Sequence, residues 1–200
     1  MMVMLFSLLA MRTGGLLNNT AIASEIGVDY KTYEKMMAFA INSFMVFNIK
    51  PWAMPNKLNK RFVKSPKMYF TDCNFLSYIT KRSILDIYEN DKMTFGHIFE
   101  NFVAAELLKH TSIHNIELSH FRTSTGKEAD FVLENNSGEV IGIEVKSSKS
   151  IDKKYLSGLQ ELKDLVGDKF KKGIIFYAGK DVIPLSEKMW AVPVSYLWRK

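Results

Sequence analysis

Asp130 and the triplet Glu144-Val145-Lys146 are the residues of this chain best suited to chemistry, because two carboxylates and an amine can hold a hard divalent cation and orient water beside it. They lie in two apolar runs, EADFVLE and EVIGIEV, separated by Asn135, Asn136, Ser137 and Gly138, the composition of a hairpin turn. Strand side chains alternate faces, so Glu144 and Lys146 share one side while Ile141, Ile143 and Val145 take the other. One face is expected to serve chemistry and one a core. A loop centred on Ser137 places Asp130 directly opposite Glu144.

Like charges facing each other across a sheet are destabilising, and the pair calls for a compensating cation. Mg2+, or Mn2+ in its place, takes oxygen ligands and keeps several waters; Asp130, Glu144 and the Val145 carbonyl are the expected metal ligands. Lys146 would orient the attacking water or stabilise charge growing on a phosphoryl oxygen. The same Glu-x-Lys spacing also suits an ordinary ion pair on a solvent-facing strand, and spacing alone does not choose between them.

Elements around these strands must position them. From Gly96 a helix carries Phe99, Phe102, Val103 and Leu107 on one face, with Glu106 inside that face and Glu100 at its edge. An edge carboxylate can reach a neighbouring sheet; a central one needs a buried partner, for which Arg122 is the candidate. Strands are predicted over 116–122, 127–134 and 139–147, then a helix over 153–166, the apolar strand GIIFYA and a short strand near 189–192. The unbroken apolar character of GIIFYA marks a sheet centre, reached from GIEVKSS by a crossover between parallel strands. Gln160, Lys163, Ser147, Ser148 and Lys149 flank the crossover and could meet phosphate or solvent. His97, His110, His114 and His120 have no repeating metal spacing and read as surface or packing residues.

Four segments in order, GHIFENFVAAELL, FRTSTGKEADFVL, GIEVKSSKS and VIPLSEKMWAVPVSYLW, resemble the C-terminal nuclease-like domain (DUF4143) of predicted AAA-type ATPases of bacteria and archaea. Asp130 followed by Glu144-Val145-Lys146 resembles the site of the wider PD-(D/E)XK nuclease superfamily, with Ala129 where that pattern has proline. The resemblance implies a restriction-endonuclease-like α/β domain over 96–200 with a mixed central sheet. It implies catalytic roles for Glu100, Asp130, Glu144 and Lys146 in metal-assisted phosphodiester hydrolysis, Glu100 assisting the metal or its water.

The N-terminal half reads as a separate module. Asn18 to Thr20 can cap a helix over 21–26 that Gly27 ends, and Asp29 can cap a longer one with Tyr33, Met36, Met37, Ala40, Ile41 and Phe44 on one stripe. With a buried helix formed by MMVMLFSLLAM ahead of them and two strands, MVFNIKPW and KRFVKSPKMYF, behind, the order is that of a winged helix over 1–71. A helical linker over 72–95 follows, its charged cluster Asp86 to Lys92 solvated. No acidic residue lies between Met45 and Thr71, and the nucleic-acid-binding candidates are Lys31, Thr32 and Lys35 on the recognition helix with Lys57, Lys60, Arg61 and Lys64 on the wing. The expected partner is nucleic acid, DNA in particular; the alternative is that these lysines only solubilise the module. The resemblance extends to this half and implies an ATPase domain or subunit as partner, with a P-loop domain ahead of Met1.

Composition bounds the rest. The 200 residues carry 27 Lys and Arg against 21 Asp and Glu, a net charge of +6, with the surplus in the N-terminal half. Cys73 is the single cysteine, which precludes an internal disulfide and fits a cytoplasmic protein. The apolar start lacks a preceding basic residue and is too short to span a membrane. No nucleotide site is expected: Gly126-Lys127 has Phe121 where a P-loop needs glycine and Glu128 where it needs Ser or Thr. Two further readings stand beside the nuclease: a non-catalytic, regulatory or DNA-binding C-terminal portion of an AAA-type ATPase, and a DNA binder using the winged helix alone.

Overall fold

The computed structural model describes residues 1–53 and 63–199, with the Lys153 side chain also outside the description. Among these residues seven α-helices and eight strands form a mixed α/β protein of two compact units, Met1–Ile49 with Ser65–Ala105 and Lys50–Lys64 with Glu106–Lys200. This division differs from the expected 1–71, 72–95 and 96–200. The supposed linker folds as α4 (Cys73–Thr80) and α5 (Ile84–Asn90), whose Leu76 and Ile87 enter the same core as Leu5, Leu9, Ile22 and Phe70. The boundary falls instead within α6 (Lys92–His114), after Ala105.

In the first unit α1 (Met2–Ala10) buries Leu5, Phe6, Leu9 and Ala10 but exposes Met1, Val3 and Met4, so it is covered on one face rather than all round. Asn18 Oδ1 accepts from Ala21 N to start α2 (Asn19–Glu25), and Gly27, at φ 71°, ends it. Asp29 caps α3 (Tyr30–Asn42), accepting from Thr32 N at 2.9 Å and the Thr32 hydroxyl at 2.7 Å. Tyr33, Met36, Met37 and Ala40 are buried as their spacing predicts. The stripe stops there: Ile41 is exposed, and Phe44, at φ 56° and 81 % exposed, lies beyond the helix end, where the chain reverses. Antiparallel strands β1 (Val46–Pro51) and β2 (Lys67–Phe70) then pair through Val46–Phe70 to Ile49–Lys67. The second strand is shorter than the expected KRFVKSPKMYF, since residues 63–66 are not strand; Lys60 and Arg61 of that segment, and Lys57 of the loop before it, lie outside the described residues.

Asn101 on α6 holds this unit together. Its Oδ1 accepts from Phe70 N at 2.7 Å and Thr13 Oγ1 at 2.6 Å, and its Nδ2 donates to Phe70 O at 2.9 Å, all with the residue fully buried. Asn101→Leu leaves the Phe70 amide and carbonyl without these partners. It is expected to cost about 2 kcal/mol or more in a urea unfolding titration; a loss below about 0.5 kcal/mol would contradict this role.

The second unit is built on a mixed sheet in the order β1-β3-β4-β5-β6-β8-β7, to which β1 contributes only Lys50 and Pro51, parallel to β3 (Glu117–Arg122). β3, β4 (Glu128–Glu134) and β5 (Val140–Lys146) are antiparallel, β5, β6 (Phe170–Tyr177) and β8 (Met189–Pro193) are parallel, and β7 (Ile183–Ser186) is an antiparallel edge. GIIFYA is thus interior, as expected, while β7 is an addition: its exposed, proline-bearing IPLS carries no alternation. Between β5 and β6 the chain makes a short 3-10 turn, Lys153–Leu156, and α7 (Ser157–Val166). Leu159 and Leu162 of α7 pack with Val132, Val140, Phe170 and Ile175, and Trp52 joins the same core, edge-on to Phe121. No helix among the described residues is long and apolar enough to cross a membrane.

Candidate functional site

The β4–β5 hairpin has the register its turn dictates. Asn135 Oδ1 accepts from Ser137 N and Glu139 N, Gly138 N donates to Asn135 O, and Gly138 takes φ 71°. The pairs Glu134–Val140, Leu133–Ile141, Val132–Gly142 and Phe131–Ile143 are all centred on Ser137. Beyond Phe131–Ile143 the Val145 N–H donates to Asp130 Oδ2 at 2.8 Å, so a side chain of β4 takes the place of a backbone acceptor.

Asp130 and Glu144, only 6 % and 9 % exposed, are brought together at this point. Lys146 Nζ donates to Glu144 Oε1 at 2.6 Å, while Glu144 Oε2 is buried with no hydrogen-bond partner. The division of faces differs from expectation: on the side of β5 bearing Glu144, Gly142 lies under Leu159 and Leu162 of α7. The carboxylates therefore stand where an apolar face ends, and the protein's own packing strips them of water.

Burial, and next the Asp130 charge, push the Glu144 carboxyl up to about 8, against the opposing pull of Lys146. Between its ordinary range and about 8 the folded chain keeps a proton that the unfolded chain has lost. This group's contribution to stability is therefore full at low pH and falls as pH rises through that window. With chelator present, the melting temperature of Glu144→Gln minus that of wild type is expected to increase from about pH 5 to about pH 8.5. A difference independent of pH would contradict the assignment.

A bare, buried carboxylate oxygen beside a second carboxylate is the donor chemistry of a hard divalent cation. Among the described residues no group of three or more His, Cys, Asp and Glu side chains is placed to hold a metal. A cation at this point would rest on Asp130, Glu144, backbone oxygen such as that of Val145, and water.

The other expected residues have the following surroundings. Glu100, in the first unit, accepts on Oε1 from Tyr69 OH at 2.7 Å and Lys67 Nζ at 3.1 Å, with Gly14 pressed close. Lys67 is 2 % exposed, so this member of the basic run is an internal ion-pair partner and not a surface cation. Glu106 is held by Lys109 and Trp198, not by Arg122, which pairs with Glu128. Lys31, Lys35 and Lys64 are exposed, whereas the Thr32 hydroxyl is committed to its helix cap. His120 is fully buried; His97, His110 and His114 are exposed. Gln160 pairs with Asp164. Two cavities, of about 370 and 610 Å³, are lined by first-unit residues such as Ala10, Ile79 and Arg82, so the paired carboxylates line neither.

A family profile described as a domain of unknown function (DUF4143) matches residues 95–197, and another domain of unknown function (DUF8612) matches residues 1–86. No curated protein matches the sequence. Among solved structures, the chain is similar to one in a refined half-complex from the tetradecameric assembly of Thermococcus gammatolerans McrB AAA+ hexamers with bound McrC. The two are 7 % identical, with a TM-score of 0.35, over 96 % of this chain and 70 % of that one.

Proposed function

Because the chain belongs to the DUF4143 family, whose description names no activity, the function must be argued from the site, and we propose a divalent-metal-dependent nuclease of the PD-(D/E)XK type. The observation that carries this reading is the buried, unpartnered Glu144 Oε2 beside Asp130, with Lys146 on the other oxygen of the same carboxylate. Asp130, Glu144 and the Val145 carbonyl would hold Mg2+ or Mn2+. Such an ion, when bound, supplies Lewis acidity toward a phosphoryl oxygen and makes a coordinated water more acidic.

The chain's own residues do the rest. Asp130 stays anchored on the Val145 amide, and the apolar packing of α7 below Glu144 excludes bulk water. The Lys146 ammonium is the group that can orient a nucleophilic water or meet charge developing on phosphate. Glu100 is the supporting carboxylate of this proposal by resemblance alone.

The first unit, in which α1, α2 and α3 are followed by an antiparallel strand pair, is proposed as a winged-helix-like nucleic-acid module, with the exposed Lys31 and Lys35 meeting DNA phosphates. Lys57, Lys60, Arg61 and the exposed Lys64 are proposed as further phosphate contacts on their own account. The test is cleavage of plasmid, linear and single-stranded DNA by the purified chain with Mg2+ or Mn2+, with Asp130→Asn and Lys146→Ala in parallel. Metal-dependent cutting lost in both variants supports the proposal. Folded wild-type protein that cuts nothing would instead favour a non-catalytic role beside an ATPase domain or subunit.

A further inference from the structure

The Lys146 ammonium is held from a second side. Its Nζ lies 5.1 Å from the ring centre of Tyr155, in the 3-10 turn that leads into α7. An aromatic face attracts an ammonium within about 6 Å, more strongly where water is scarce. The ring is itself fixed: Tyr155 is half-buried and packs against the core of the second unit beside Ile151 and Leu156. Asp152 caps its turn, accepting from Lys154 N at 3.0 Å. Three residues on, Gly158 lies against the Glu128 carbonyl, which ties the start of α7 to the strand that carries Asp130.

The geometry points to Tyr155 as a positioning residue for Lys146, an inference whose catalytic consequence rests on the nuclease reading. An acidic second partner would neutralise the ammonium and compete for a cation. A ring does neither: it restrains the amine beside Glu144 without adding a negative charge. The phenol oxygen has no part in this, so phenylalanine should serve as well as tyrosine and an aliphatic residue should not.

The test has two arms. In protein carrying 13C-labelled lysine, with the Lys146 ε-methylene signal assigned through Lys146→Arg, ring current should shift that signal upfield of lysines remote from any ring in wild type and in Tyr155→Phe; Lys154, whose Nζ lies 5.3 Å from the same ring centre, is assigned through Lys154→Arg. In Tyr155→Leu the Lys146 signal should return to the ordinary lysine position. A signal that does not move in the leucine variant overturns the inference, whether or not the protein cuts DNA. In the cleavage assay, Tyr155→Leu should lower kcat roughly fivefold to thirtyfold with little change in KM, while Tyr155→Phe keeps wild-type kcat within about twofold. Equal losses in both variants, or none in the leucine variant, would also overturn it. A wild-type chain that cuts nothing would defeat the nuclease reading and leave the labelled-lysine arm to decide the position of Tyr155.

Discussion

Replacing Lys146 with alanine is expected to lower metal-dependent cleavage by roughly 10²–10³-fold, the loss typical when a preorganised charge aimed at the transition state is removed. The effect has two parts. The ammonium no longer meets the reacting phosphate. Glu144 also loses the Lys146 cation that opposes its burial and the Asp130 charge, so it holds its proton to still higher pH. If cleavage needs Glu144 ionised to hold the metal, the rate should rise with pH, and that rise should move to higher pH in whatever activity Lys146→Ala retains. Asp130→Asn should be at least as damaging, because it removes a metal ligand while keeping an oxygen for the Val145 amide. Its effect on Glu144 has the opposite sign: with a neighbouring negative charge gone, the carboxyl titrates lower. Two variants of similar inactivity whose residual pH profiles, or Glu144 titrations, shift in opposite directions would be hard to explain by general damage. Shifts in the same direction would contradict the proposed coupling.

The second large effect is structural. A Cβ at Gly158 would lie 1.5 Å from the Glu128 carbonyl oxygen and 2.3 Å from its carbon, both backbone atoms of β4. No side-chain rotation relieves such an overlap, so α7 must lift away from the sheet. Leu159 and Leu162, both fully buried, would then lose their seat over Gly142. Gly158→Ala is expected to destabilise by about 3 kcal/mol or more, at or beyond the upper range for overpacking, as measured by urea unfolding. Because Glu128 precedes Asp130 by two residues on the same strand, any protein that still folds should also have weakened metal binding. Stability within about 0.5 kcal/mol of wild type would contradict this tight seating of α7.

Local chemistry made part of this molecule readable. Asn135 and Gly138 determine one tight turn, and period-two alternation then leaves a single register for β4 and β5, so the meeting of Asp130 and Glu144 followed from sequence alone. The caps at Asn18 and Asp29 were legible for the same reason, since each bonds within three residues of itself. Features that depend on distant partners were not. Lys67 belongs to a basic run, and nothing in its neighbours tells that Glu100 and Tyr69 will enclose it. Asn101 reads as an interruption of a helical pattern until Phe70 and Thr13 reach it through the fold. Gly158 did leave a signal, as a glycine inside a helical pattern implies a close neighbour; the identity of that neighbour required the sheet. The stripe of α3 ends at Ala40: Ile41 is still helical but exposed, and Phe44 lies past the helix end at Asn42.

Calorimetric titration of Mn2+ into metal-free protein near pH 7, with Asp130→Asn and Glu144→Gln alongside, should reveal one site per chain in wild type, with net proton release as Glu144 ionises, and loss of that site in both variants although they remain folded. Binding that is absent from wild type, or unchanged in the two variants, would contradict a metal centre at these carboxylates.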